Sequence, residues 1–147
     1  MGTKPEKNED VNLLSKDDFD EINTTKLKRL IFKIKGFLGI LSCKAIKEAL
    51  IKQRKYSLIL KINSRYIAIF TKKKSIEIFD PLGFFRSSQP NELLNFIKAH
   101  SSKRKLVVNN EKIKKPDSLK LSLLFILLHQ QINNYNKIVK HIRNKFK

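Results

Sequence analysis

From Thr24 the apolar positions return every three or four residues. Leu27, Leu30, Ile31 and Ile34 share one face and Lys26, Lys28, Arg29 and Lys33 the other, which predicts an amphipathic helix capped by Asn23 or Thr24. Gly36 and Gly39 punctuate the segment that follows. A second amphipathic helix is predicted over Lys44 to Arg54, with Ala45, Ile46, Ala49 and Leu50 inward. The period then drops to two. Tyr56, Leu58, Leu60 and Ile62 mark a strand, with Ile59 making its other face partly apolar. Tyr66 to Phe70 and Ser75 to Phe79 flank Lys72-Lys73-Lys74 and read as a hairpin with a basic tip.

Asp80-Pro81-Leu82-Gly83 carries turn chemistry. Pro90 opens a helix over Asn91 to His100, Lys105 to Val108 reads as a short strand, and Lys112 to Pro116 as a loop. Asp117 or Ser118 then caps a helix apolar on nearly every side, from Leu119 through Leu128, the pattern of a central core helix. The last helix, Asn134 to Phe146, returns to one apolar stripe of Ile138, Val139 and Ile142 beneath a basic face. No internal repeat is visible. This order predicts an α+β domain, helices packed around a small mixed sheet. Residues 1–21 are expected to form a flexible acidic segment and residues 22–147 a single domain.

Length and composition narrow the function classes. At 147 residues with 41% hydrophobic residues the chain can bury one core, and with a single cysteine, Cys43, it cannot cross-link internally. The longest apolar stretch, Leu119 to Leu128, is broken by Lys120 and Ser122 and falls far short of the roughly 20 residues that span a bilayer. No signal-peptide core follows the N-terminus, so the protein is expected to be soluble, neither secreted nor membrane-bound.

Charge changes the picture further. Lys and Arg number 32 against 13 acids, a net +19. Residues 1–21 hold seven of those acids and three lysines, leaving the remainder at +23. A small globule with that excess suits a polyanionic partner, nucleic acid first. The plainer alternative is coding bias, since AT-rich codons enrich Lys, Asn, Ile and Phe together.

Several local motifs, in their order along the chain, resemble the adenain-like cysteine proteases of adenovirus, Polinton-type elements and virophages. Phe37-Leu38-Gly39-Ile40 resembles the family's Phe-x-Gly-Val segment, and Ser57 to Asn63 its next strand. Arg65-Tyr66-Ile67-Ala68 stands where the family has His-Trp-hydrophobic-Ala. Phe79-Asp80-Pro81-Leu82-Gly83-Phe84 is the most specific match. Pro116 to His129 resembles the helix that begins at the nucleophile. The resemblance covers the chain from about residue 22 and implies a papain-related fold of the ubiquitin-like-protease type.

It does not carry the chemistry with it. Family catalysis needs a cysteine thiolate, a histidine base, a carboxylate to orient that histidine and a glutamine for the oxyanion. The histidine position is Arg65, whose guanidinium stays protonated near neutral pH. The acid position, Asp80, is retained. The cysteine position falls on Leu121 or Lys120, according to whether Pro116 or His129 anchors the comparison, and the glutamine position near Ile113 or Lys114. The resemblance therefore implies an inactive remnant, with no cofactor and no metal. Asp80 is expected to form a turn or to pair with Arg65.

No other constellation replaces the missing one. His100, His129 and His141 show no pairing with a cysteine and no metal-ligand spacing. His129 reads as a satisfied helix-end residue, His141 as solvated, and Ser122 as bonded back to a carbonyl. The expected function is that of a virus- or mobile-element-derived pseudoprotease, virion-associated or nuclear, that binds nucleic acid without sequence preference, DNA before RNA. Its candidate contacts are Lys72, Lys73, Lys74, Lys103, Arg104, Lys105, Lys112, Lys114, Lys115, Lys137, Lys140 and Arg143. Since 26 of the 32 bases are lysine, phosphate contact is favoured over base reading. The alternative is a protein-interaction module that binds an active protease or an assembly partner, including virion or capsid proteins.

Overall fold

A computed structural model describes residues 24–47, 55–101, 104–114 and 117–146. Helix α1 (Thr24–Ile31) leads into strand β1 (Phe37–Ser42) and a 3₁₀ turn, Cys43–Lys47. Strands β2 (Tyr56–Ile62), β3 (Arg65–Thr71) and β4 (Ser75–Phe79) follow, then helix α2 (Asn91–Ser101) and strand β5 (Lys105–Val108). Helices α3 (Ser118–Leu128) and α4 (Tyr135–Lys145) complete the domain.

The five strands form one mixed sheet in sequential order. β1 runs parallel to β2 and β4 parallel to β5, while β2–β3 and β3–β4 are antiparallel. The predicted hairpin is present, closed by Lys72 N–H donating to the Ser75 carbonyl at 2.8 Å. Strand β1 was not anticipated. Its register with β2 shifts between Phe37 and Ile40, where Gly39 has φ +109°, and such a bulge erases the two-residue period. The helix predicted over Lys44 to Arg54 is a 3₁₀ turn as far as Lys47, with Ile46 buried; residues 48–54 lie outside the described ones, as does the acidic segment 1–21.

Both faces of the sheet are covered. Ile59, Ala68, Phe70 and Phe79 meet α1, α3 and α4 on one side. Leu58, Leu60, Ile67, Ile69, Ile76 and Ile78 meet α2 and the 3₁₀ turn on the other. A sheet buried on both faces reads as near-continuous apolar runs, which explains why Ile59 broke the alternation in β2. Helix α3 is the centre of its layer: Leu121 to Leu128 are buried without exception. Each large side chain buried there stabilises the fold by about 1.5–3 kcal/mol before entropy is counted. Asp117 accepts from Lys120 N–H and caps α3; Asn134 accepts from Lys137 N–H and caps α4.

Strand direction fixes two opposite ends of the sheet. The starts of β1, β2, β4 and β5 and the end of β3 lie at one; the start of β3 and the end of β4 lie at the other.

Candidate functional site

Arg65 opens β3 and Asp80 follows β4, so antiparallel pairing carries both to the same end. Helix α3 arrives there too. Ser118 Oγ accepts from Tyr66 N–H at 3.0 Å, and one turn later Ser122 Oγ donates to the Tyr66 carbonyl at 3.2 Å. Ser122 thus bonds to a carbonyl of the neighbouring strand, not of its own helix. The two bonds pin the first turns of α3 against the backbone of Tyr66, the residue after Arg65.

Asp80 is fully buried and uses its two carboxylate oxygens differently. Oδ1 accepts from Leu82 N–H at 2.9 Å, which makes the turn, and Oδ2 stands 3.6 Å from Arg65 Nη2. The turn and the pairing with Arg65 coexist, but the ion pair is a near approach without a hydrogen bond, since Asp80 Oδ2 and Arg65 Nε both lack a hydrogen-bond partner. Arg65 Nη2 donates instead to Gln89 Oε1 at 2.9 Å. Burial pushes the Asp80 carboxyl above its ordinary value, more than Leu82 N–H and the Arg65 charge pull it down. Asn109 holds the backbone from β5, accepting from Asp80 N–H at 2.8 Å and donating to the Asp80 carbonyl at 2.6 Å.

Outside this pair lies a cleft of about 580 Å³ lined by Cys43, Lys44, Arg65, Ser88, Gln89 and Glu92 among others. Burial, and then the Glu92 charge, push the Cys43 thiol up. His100 and His129 belong to the opposite end of the sheet, and both are engaged. His100 Nε2 meets Tyr56 Oη at 3.0 Å and its Nδ1 meets the Phe96 carbonyl at 3.1 Å. The Phe96 carbonyl can only accept, so Nδ1–H donates to it. Burial, with repulsion from Arg104, lowers the His100 pKa and favours the neutral ring whose Nε2 accepts from the tyrosine. His141, expected to be solvated, is half-buried on α4, and burial lowers its pKa as well. Ile113, near the glutamine position, is buried with its N–H on the Pro81 carbonyl, and Lys114 is exposed. Among the described residues no group of three or more His, Cys, Asp or Glu could hold a metal, and no helix is long and apolar enough to cross a membrane.

A cluster not foreseen sits at the far end of α3. His129 Nε2 meets Glu77 Oε1 at 2.6 Å, and Lys72 Nζ lies 3.2 Å from Glu77 Oε2. A signal for it existed in Glu77 itself, a lone charge within an apolar strand, which requires a partner. Burial raises the Glu77 carboxyl, but the bond and charge of His129, with Lys72, outweigh it and bring the group below its ordinary value.

The candidate basic contacts divide by position. Lys73, Lys74 and Lys105 are exposed around the hairpin tip, where Lys105 N–H donates to the Lys74 carbonyl at 2.8 Å, and Arg104 is half-buried beside them. Lys72 turns inward to Glu77 and to Asn133 Oδ1, 3.0 Å away, and does not extend from the tip as its neighbours do. Lys137, Lys140 and Arg143 are exposed on α4, with Arg143 paired to Glu111, and Lys112 and Lys114 lie in the loop before α3. Lys103 and Lys115 lie outside the described residues.

No family model matches the chain, and no curated protein matches it. Among solved structures it is similar to a deletion variant of AvrA with IP6 and CoA, at 14% identity and a TM-score of 0.47, over 87% of this chain and 57% of that one. The chain therefore spans little more than half the length of that neighbour, and a likeness at this level carries no argument about family or activity.

Proposed function

We propose that this chain is a non-catalytic relative of the adenain-like proteases that binds the nucleic-acid backbone without sequence preference, in a virion or a nucleus. The observation that carries the reading is the approach of Arg65 to Asp80, 3.6 Å apart, at the end of the sheet where α3 begins against Tyr66. Those are the family's base, acid and nucleophile positions. A guanidinium beside a buried carboxyl, with Leu121 or Lys120 at the nucleophile position, supplies neither a thiolate nor a base to form one. What remains is a compact scaffold with +19 net charge, carried mostly by lysine.

Fluorescence anisotropy with two labelled duplexes of unrelated sequence tests it. Equal affinities, and a linear fall of log K with log salt concentration, are expected. Absence of binding at 50 mM salt, or indifference to salt, overturns it.

One observation favours a second reading, in which the loop after Asp80 docks a protease or an assembly protein of the virion or capsid. Phe85 is 53% exposed and follows Gly83 and Phe84 on the loop from Asp80. Stoichiometric co-purification of a protein that survives nuclease treatment and is lost in Phe85→Ser distinguishes that reading.

A further inference from the structure

The charges of the sheet are segregated along its strands. Of the five acids among the described residues, Glu77 alone belongs to the end where β2 begins, and it is buried against His129 and Lys72. The others gather at or beyond the opposite end: Asp80 beside Arg65, Glu92 in the cleft, Asp117 at the cap of α3 and Glu111 just past β5. Bases occur on every side. Among the described residues, the β2-start end is therefore distinguished by cations without exposed acids among them.

Strand order sets those cations in a row. Lys35 precedes β1, Lys55 precedes β2, Lys73 and Lys74 join β3 to β4, and Arg104 and Lys105 begin β5. Five neighbouring strands about 4.8 Å apart span roughly 19 Å, the rise of about six phosphates at 3.4 Å each along one strand of a duplex. Lys35, Lys55, Lys73, Lys74 and Lys105 are exposed, and none is ion-paired among the described residues. Between Lys35 and Lys55 the row dips into a depression of about 630 Å³, floored by Tyr56, Ser57 and Phe70 and edged by Gln130. Arg104, half-buried, lies near enough for its charge to act on both Tyr56 and His100.

We propose that a nucleic-acid strand lies across this end of the sheet, its phosphates on Lys35, Lys55, Lys73, Lys74, Arg104 and Lys105. One phosphate sits over the depression between Lys35 and Lys55. This rests on the nucleic-acid reading above and goes further: it adds Lys35 and Lys55 to the contacts and removes Lys72 and the α4 bases from them. Lys72 neutralises Glu77, which would otherwise be a negative charge beneath the row.

Two triple variants of the full chain test the placement: Lys55→Gln/Lys74→Gln/Lys105→Gln at the sheet end, and Lys137→Gln/Lys140→Gln/Arg143→Gln on α4. Binding of one 20-base-pair duplex is read between 50 and 200 mM salt, with circular dichroism showing that each variant is folded. Six phosphate contacts predict a fall of about 10³-fold in affinity over that range, and three contacts about 40-fold. The sheet-end variant is expected to show the shallower dependence, and the α4 variant to keep the steep one. The reverse pattern, or equal losses in both, overturns the placement while leaving nucleic-acid binding standing. A wild-type chain that does not bind the duplex removes the underlying reading, and this inference with it.

Discussion

His129 bridges two neighbouring strands at one point: its ring lies flat on Phe70, centroids 3.8 Å apart and planes within 5°, while its Nε2 reaches Glu77 Oε1 at 2.6 Å. Phe70 and Glu77 are themselves paired across β3 and β4. One imidazole at the end of α3 therefore ties the central helix to both strands of the basic hairpin. Lys72 closes the arrangement, its Nζ 5.8 Å from the centroid of Phe70. Glu77 is the charge that the rest of the cluster exists to satisfy.

Glu77→Gln is expected to cost about 1–3 kcal/mol at pH 7, the range for a buried hydrogen bond with one partner weakened. The acid limb should change with it. The Glu77 carboxyl lies below its ordinary value of 4.5 in the fold, so its contribution is complete above 4.5 and disappears as pH falls through the lowered native value. Urea unfolding between pH 3 and 6 should show a shallower loss in the variant than in the wild type; parallel curves would refute the assignment.

Asp80 has the opposite sign. Its carboxyl is raised from 3.8 by burial, so ionisation is penalised in the fold. The penalty is absent below 3.8, grows as pH rises towards the raised native value and is complete above it. Asp80→Asn keeps the acceptor for Leu82 N–H and removes the penalty. The variant should be at least as stable as the wild type at pH 7, and the difference should shrink as pH falls from the raised native value to 3.8. A deficit at pH 7 would show that the Arg65 charge, 3.6 Å away, dominates instead.

Gly83→Ala should destabilise by about 1–2 kcal/mol, the cost of a left-handed conformation to an L side chain. Gly83 has φ +85°, and an added Cβ would lie 3.1 Å from the Phe85 ring and 3.2 Å from the Asn110 carbonyl. Thermal melts measure the cost, and a neutral result would mean that the loop from Asp80 to Phe84 relaxes freely.

Cys43 should alkylate more slowly at pH 7 than an unhindered peptide thiol, because burial and the Glu92 charge both suppress its thiolate. Glu92→Gln should accelerate the reaction, and iodoacetamide kinetics across pH 6–10 would show it. Rapid modification at pH 6 would point to an activated thiol and would contradict the non-catalytic reading.

Helix α1, the hairpin β3–β4, strand β5 and the cap at Asp117 were legible locally, because apolar spacing and cap chemistry act within a few residues. The approach of Arg65 to Asp80 was expected from a motif order resembling a known family, whereas its detail was not. Gln89 takes the guanidinium's hydrogen bond, and Asp80 Oδ2 is left without one. The sequence also named Lys73, Lys74, Arg104 and Lys105 as candidate contacts, but not that Lys35 and Lys55 share their end of the sheet.

Composition and periodicity by themselves determined most of the helices and strands, though not β1 or the 3₁₀ turn at Cys43–Lys47, as well as where α3 must be buried and that the chain carries a large excess of lysine. Tertiary structure alone decided partners distant in the chain: Glu77 with His129 across 52 residues, Ser118 with Tyr66 across 52, and β1 with β2 in a bulged parallel register. The physical reason is that propensity and capping are short-range, whereas burial of a charge or alignment of strand ends depends on how the whole sheet closes against its helices. A local pattern can demand a partner for Glu77; only the packed sheet supplies it.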